Sequence, residues 1–313
     1  MKKVKVNSAV SKIFVYIMII AVSFIIIYPL AYMVSMAFRD SSDVLDPAVI
    51  WLPKNWTLEN IKLAAEFLDY PRAVLRTAVL SISCAVLQCF TTALVGYGFA
   101  RFKFRGNNVL FAVVLFTLIV PTQIISMPLF LTFRNFDFAG LGSLLYKLTG
   151  MGFSFNFINT PVPMMASAFF GTGIRAGLFI YIFRQSFKNA PRELEEAAYI
   201  DGCGSTATFF RIMLPNAGAI IMIAFLFSLV WYWNDYFYSS VFYNSSMPLS
   251  VLLSNLANML GMSHKADGTS YFLNDIYVIQ QAGCLLYIIP PLVLYIFLQR
   301  NFVESVERSG IVG

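Results

Sequence analysis

Charge is what this sequence has least of. Only 12% of its 313 residues are Asp, Glu, Lys or Arg, where a soluble domain carries about 25%. That scarcity excludes a disordered chain, which stays solvated by its charge, and argues against a soluble enzyme. Histidine is rarer still: His264 stands alone, so no H-E-x-x-H zinc helix exists. Neither a G-x-S-x-G elbow nor a pair of carboxylates on an apolar stretch occurs, which leaves a membrane hydrolase without its chemistry. No glycine is followed by lysine. The G-x-x-x-x-G-K-[ST] phosphate loop is therefore missing, and the chain cannot cradle ATP in that way. Cys84, Cys89, Cys203 and Cys284 show no zinc spacing and read as small buried hydrophobes.

What the chain has instead is apolar length. Hydrophobic residues make up 58% of it, and the mean hydropathy is +0.71. A membrane helix needs about 20 mostly apolar residues. Uncharged runs extend over 13–38, 77–100, 106–133, 212–234 and 276–299. A sixth run around 163–183 is interrupted by Arg175. The fold class predicted is all-α, a polytopic membrane protein with six transmembrane helices at about 13–38, 77–100, 108–128, 163–184, 215–238 and 276–298. The transmembrane domain covers 13–300, between a short N-terminal segment, 1–12, and a tail, 301–313. The first run is too long for a signal-peptide core and no A-x-A site follows it, so it reads as a retained anchor.

The net charge of +6 would suggest nucleic acid for a soluble protein, but here the basic residues lie between apolar runs. Thirteen Lys and Arg fall in the 67 positions of 1–13, 101–107, 184–215 and 299–313, and eight in the 109 positions of 39–76, 129–162 and 239–275. The denser set marks the cytoplasmic side. Both termini are thus predicted in the cytoplasm of a multi-pass protein of the cell membrane, with no nucleic-acid partner. Tyr28, Tyr32, Trp231, Tyr232, Trp233, Tyr236 and Tyr238 fall near the outer ends of spans, where amphipathic rings favour the headgroup layer.

The stretch 189–215, between spans 4 and 5, carries the clearest local design. Asn189 suits an N-cap and Pro191 a first turn. Glu193, Glu195 and Glu196 then sit at the positive end of a helix dipole, and Gly202 and Gly204 supply a stop and a turn. Ser205 or Thr206 can cap a second short helix through Leu214. Leu194, Ala197, Ala198 and Asp201 share a face at helical spacing, and the alanines let another surface approach closely. Helix physics alone also allows an amphipathic loop lying on the membrane.

Two groups suit a substrate path. Arg175, among Gly171, Gly173 and Gly177, is the one charge deep inside a predicted span. It reads as a path residue or as a snorkelling helix contact. Trp231, Trp233, Asn234 and Asp235 would lie near the outer mouth. There, rings can stack on sugar C–H faces while polar groups take hydroxyls, or they form an aromatic belt with a structural Asp.

The spacing Glu196-Ala197-Ala198, Gly202, Ile212-x-Leu214-Pro215 resembles the EAA loop of ATP-binding-cassette importer permeases. Gly96-Tyr-Gly-Phe-Ala-Arg101-Phe-Lys-Phe and Trp51-Leu-Pro53…Trp56-Thr-Leu-Glu-Asn60 are similar to other segments of that family. The likeness is strongest over 177–237 and points to the smaller, six-span permease of a maltose-type carbohydrate importer. It implies a coupling helix that docks on an ATPase through Glu196, Ala197, Ala198 and Gly202, with Leu194 and Asp201 beside them. Ile212, Leu214 and Pro215 would hold the loop to span 5. It also implies partners: a second homologous permease, two ATP-binding-cassette ATPase subunits, a solute-binding protein outside, and the lipid bilayer. No cofactor is implied on this chain, since ATP and Mg would belong to the ATPase. The cargo implied is a carbohydrate, an oligosaccharide in the first instance. A non-sugar solute carried by the same architecture, or an ion-coupled secondary carrier, are the alternatives. The tail ends Ser309-Gly-Ile-Val-Gly313 without the family's Lys, and the outer loop 137–160 is long and rich in Gly and Phe.

Overall fold

A computed structural model of the chain describes residues 8–137, 140–149 and 154–310. The described chain is helical throughout and contains no strand, only isolated bridges such as Arg39 with Trp56. In order, the helices are α1 (Ser8–Ala37), α2 (Glu59–Phe67), α3 (Tyr70–Arg101), α4 (Asn107–Phe116), α5 (Thr122–Arg134) and α6 (Leu141–Thr149). Then come α7 (Val162–Phe169), α8 (Ala176–Asn189), α9 (Glu193–Ile200) and α10 (Ser205–Thr208). A π-helical turn, Phe209–Met213, leads into α11 (Leu214–Asn216). The chain ends with α12 (Gly218–Trp233), α13 (Phe237–Phe242), α14 (Leu249–Gly261) and α15 (Leu273–Gly310).

Three of the described helices are long and apolar enough to cross a membrane: Ser11–Ala37, Tyr70–Arg101 and Leu273–Gln299. A fourth is added if Ser205–Asn216 and Gly218–Trp233, bent by 77°, count as one span. The two remaining stretches read as single spans are each divided. The run 108–128 breaks between α4 and α5, where Pro121 lacks the N–H that would bond Thr117 and forces Val120 out of the helical region. The turn before it tightens, with Leu118 and Ile119 donating three residues back, to Leu115 and Phe116. The run 163–184 breaks between α7 and α8. There Gly171 and Arg175 take positive φ, +72° and +53°. The Thr172 N–H bonds Ser167 O and the Gly171 N–H bonds Ala168 O, the Schellman closure that needs a glycine at this place.

Contacts group the chain into two units. One comprises Met1–Pro71 with Leu252–Ile289. No residue in the apolar window of α1 is buried within the chain; only its last turns pack, through Met33, Met36 and Ala37. Arg39 then organises the following loop by donating to Val49 O, Ile50 O and Ser35 Oγ. Asp43 accepts from the Asn55 N–H at 2.7 Å, from Asn55 Nδ2 and from the Lys54 N–H. The Asn55 backbone N–H leads the bonds that hold its carboxyl below the ordinary carboxylate range. Leu68, Leu256, Leu260, Val278 and Ile279 of this unit are buried.

The other unit comprises Arg72–Val251 with Pro290–Gly313. An aromatic cluster of Tyr97, Phe179, Phe183, Phe187, Phe209 and Met213 joins α3, α8 and the π turn. Gly96 permits this approach, since a Cβ there would stand 2.6 Å from Phe183 Cβ. A second cluster gathers Leu80, Cys84, Phe133, Met164, Tyr232 and Phe242. Cys84 and Cys89 are buried as expected, while Cys203 and Cys284 are half-buried.

Candidate functional site

The stretch 189–215 forms the two predicted short helices, with altered ends. Asn189 does not cap α9; it is the last residue of α8. Ala190 is extended at φ −66°, ψ 137°, as a residue before proline prefers, and Pro191 ends α8 in this way. Arg192 stands at the N-cap of α9 without a side-chain bond. The three glutamates of the first turn supply the negative charge favoured there. At the other end, Gly202 takes φ +82°. The Cys203 N–H reaches Ala198 O and the Gly202 N–H reaches Tyr199 O, a second Schellman closure.

The faces of α9 differ from the predicted grouping. Leu194, Glu196, Ala197, Asp201 and Gly202 are exposed, but Ala198 turns to the opposite side and is buried together with Glu195. Those two lie three residues apart on the inward face. Glu195 is the residue that sequence reasoning missed. Its carboxylate meets Arg101 Nε at 3.2 Å, with side-chain exposures of only 7% for Arg101 and 11% for Glu195. It also accepts from the Tyr97 hydroxyl at 2.8 Å. Arg101 Nη2 donates to Ala190 O at 2.8 Å. Tyr97 and Arg101 are four residues apart on one face of α3. That i, i+4 pair, opposite an acidic helix, was the available signal.

Ile212 and Leu214 pack against the aromatic cluster, and Pro215 is exposed in the first turn of α11. Phe209 and Met213, the two ends of the π turn, both face that cluster.

The break between α7 and α8 is held by a polar junction that was also missed. Gln88, fully buried in α3, donates from Nε2 to Ile174 O at 2.9 Å and to Ser228 Oγ at 3.1 Å. The Tyr232 hydroxyl donates to Gln88 Oε1 at 2.7 Å and accepts from the Ile174 N–H at 3.3 Å. Gly173 lies against this junction, and a Cβ there would meet Tyr232 Oη and Gln88 Oε1. Gly177 likewise lets α8 approach α4, with Val114 O 2.9 Å from where a Cβ would be.

Of the predicted path residues, Arg175 and Trp231 come together, the guanidinium lying 5.1 Å from the indole centroid. The others are engaged locally. Trp233 is buried. Asn234 Nδ2 donates to Val230 O. Asp235 accepts from the Tyr238 and Ser239 N–H groups and so closes the first turn of α13. No group of three His, Cys, Asp or Glu among the described residues could hold a metal ion.

The chain is similar to known membrane transport proteins. Residues 92–308 match the family described as binding-protein-dependent transport system inner membrane component. The chain is 30% identical over 295 residues to an arabinooligosaccharides transport system permease protein of Halalkalibacterium halodurans, covering 93% of each. It is 26% identical over 287 residues to a diacetylchitobiose uptake system permease protein of Streptomyces coelicolor, covering 92% of this chain and 84% of that one. Among solved structures, a chain of a bacterial ABC transporter involved in import of the acidic polysaccharide alginate is similar in fold, with a TM-score of 0.70. That likeness has 18% identity and covers 96% of this chain and 100% of the other.

Proposed function

The chain belongs to the family of binding-protein-dependent transport system inner membrane components, among the permeases of carbohydrate ABC transporters, and on that premise we propose that it is the smaller, six-span permease of an oligosaccharide importer. Its crossings are α1, α3, the pair α4–α5, the pair α7–α8, α12 and α15, with both termini in the cytoplasm. Counting the pair α7–α8 as one crossing is supported by the junction at Gln88, which returns partners to backbone groups freed at that break. Irregular backbone is tolerated in a membrane under that condition. A homologous permease completes the path, two separate ATPase subunits bind ATP and Mg, and an external binding protein delivers the sugar.

The observation that carries this reading is the two-sidedness of α9. Its Leu194, Glu196, Ala197, Asp201 and Gly202 side is open to a partner. Its Glu195 side is tied by charge to the end of α3. A helix free on one side and anchored on the other can pass a push from an ATPase into the bundle. Glu196, Ala197 and Gly202 are the docking residues in this account, with Leu194 and Asp201 at the rim. Ala198 allows the close approach of α9 to the bundle, and Ile212, Leu214 and Pro215 fix the following bend. ATP shifts the equilibrium between inward- and outward-facing states to the extent that it binds the closed ATPases more tightly.

Purification from native membranes in mild detergent, followed by reconstitution, tests the reading. The expected result is co-purification of an ATPase and a second permease, with uptake of an oligosaccharide that requires ATP. A chain that purifies without an ATPase and moves solute on an ion gradient would overturn it.

A further inference from the structure

We infer that Arg175 faces a water-filled path at the middle of the membrane and, held on Trp231, forms a subsite for the acceptor oxygens of a carbohydrate cargo. The inference rests on the proposed function, since it uses the placement of α3 across the bilayer. Gln88 stands 12 residues from Arg76 and 13 from Arg101 on one continuous helix. At about 1.5 Å per residue, that is roughly 18–20 Å from either charged end, so Gln88 marks mid-depth. Its amide bonds Ile174 O, and Arg175 is the next residue. The guanidinium is therefore attached near the middle of the hydrocarbon.

Three observations decide what it faces there. Arg175 is exposed on the surface of the chain. Among the described residues its guanidinium makes no hydrogen bond or ion pair; it lies against the Trp231 ring. Its ring partner Trp231 precedes Tyr232, whose hydroxyl bonds the same Gln88, so the pair belongs to the level of this junction and not to the outer mouth where the sequence alone placed Trp231. An unpaired charge at this depth in contact with lipid is costly, and such residues face an aqueous cavity or the bundle interior. Because Arg175 lies on the outside of its own bundle, the water must lie between this chain and its partner permease.

The backbone supports a dedicated role. Arg175 takes φ +53°, a region that non-glycine residues rarely occupy. The conformation is maintained by the Gln88 and Tyr232 bonds to Ile174 on its N-terminal side. The result is a planar fork of five N–H donors, pre-oriented against an indole face and lacking acceptors of its own. Hydroxyl and ring oxygens of a sugar, or the carboxylate of an acidic one, supply what it lacks. Exposed Phe227, with its ring 5.8 Å from Trp231, adds an apolar edge.

The test uses the assembled importer in liposomes carrying Arg175→Cys, with the unaltered chain as the background for its native cysteines. A charged, membrane-impermeant methanethiosulfonate reagent is expected to label position 175 well above background. Loaded binding protein plus ATP is expected to slow that labelling several-fold. Labelling only by a lipid-soluble maleimide would overturn the inference, because position 175 would then face lipid. If Arg175→Cys does not assemble, Arg175→Asn, whose side chain tolerates positive φ, is assayed for uptake. It is expected to raise the KM for sugar about tenfold or more with ATPase docking retained, and an unchanged KM would overturn the subsite. Failure of the proposed function would look different: the unaltered chain would bring no ATPase and show no ATP-driven uptake.

Discussion

At its Arg101 end, α3 is joined to the rest of its unit by charge, through Glu195 and Tyr97. Halfway along, it is joined by neutral groups alone, through Gln88, Ser228, Tyr232 and the backbone of Ile174. Both junctions are buried and both fasten a segment that the helix ladder leaves loose. On the proposed topology, the difference follows from depth. A carboxylate and a guanidinium can be desolvated near a surface, where unfolded alternatives are hydrated and the pair satisfies itself. At mid-membrane the same pair would cost several kcal/mol per ion in desolvation, so amide and hydroxyl groups do the work there. The charged junction therefore suits a segment that bears load from a soluble partner. The neutral one suits a break that must stay closed.

The comparison can be broken most severely at Gly173. Any side chain there meets Tyr232 Oη and Gln88 Oε1, with Ala168 Cα 3.0 Å from the new Cβ. Gly173→Leu is expected to abolish recovery of a monodisperse complex by size exclusion; normal recovery would mean the neutral junction is loosely built.

Next comes Glu195→Ala, which strands a buried guanidinium. Removing one partner of such a pair typically costs about 3–5 kcal/mol. Thermal melting in detergent should fall accordingly, and ATP hydrolysis should lose its dependence on loaded binding protein. The exchange Glu195→Arg with Arg101→Glu should recover part of both.

Gln88→Ala sharpens the contrast, because it takes the amide donor from Ile174 O and the acceptor from the Tyr232 hydroxyl, at about 1–3 kcal/mol. A smaller drop in melting temperature is expected, with stimulation of hydrolysis by binding protein preserved. Loss of stimulation here, equal to that of Glu195→Ala, would erase the distinction between the junctions.

The smallest effect belongs to Gly202. Nothing lies within 4 Å of a Cβ built there, so Gly202→Ala meets only the left-handed backbone penalty of about 1–2 kcal/mol. Uptake should stay within a factor of about two. Gly202→Trp should lose ATPase docking through a clash with the partner, seen as lost co-purification while the permease itself remains folded.

Much of this was legible in the sequence. Apolar length located α1, α3, α12 and α15 because a membrane helix must be long and uncharged. The Gly202 stop was readable because its positive φ has few alternatives. Other features depend on residues far apart in the chain. Glu195 reads as one glutamate of three until folding sets it, rather than Glu196, against Arg101. Gln88 is a lone amide in an apolar run, and its partners lie more than eighty residues away. The breaks at Pro121 and Gly171 were hidden by hydropathy, which sums composition over a window and ignores where a backbone bond is lost. Ala198 was grouped with Leu194, Ala197 and Asp201 by helical spacing, but it also lies three residues from Glu195, and folding buries it on that side.

The most direct test of the central claim, that α9 is the docking surface for a separate ATPase, is site-specific photocrosslinking. A photoreactive residue at position 197 is activated in native membranes, with one at position 94, exposed on α3 about two turns before Arg101, as control. The account expects an adduct between position 197 and an ATP-binding-cassette ATPase, increasing or decreasing with ATP, and none from the control. Adducts at 197 with lipid alone, under conditions where uptake proceeds, would contradict it.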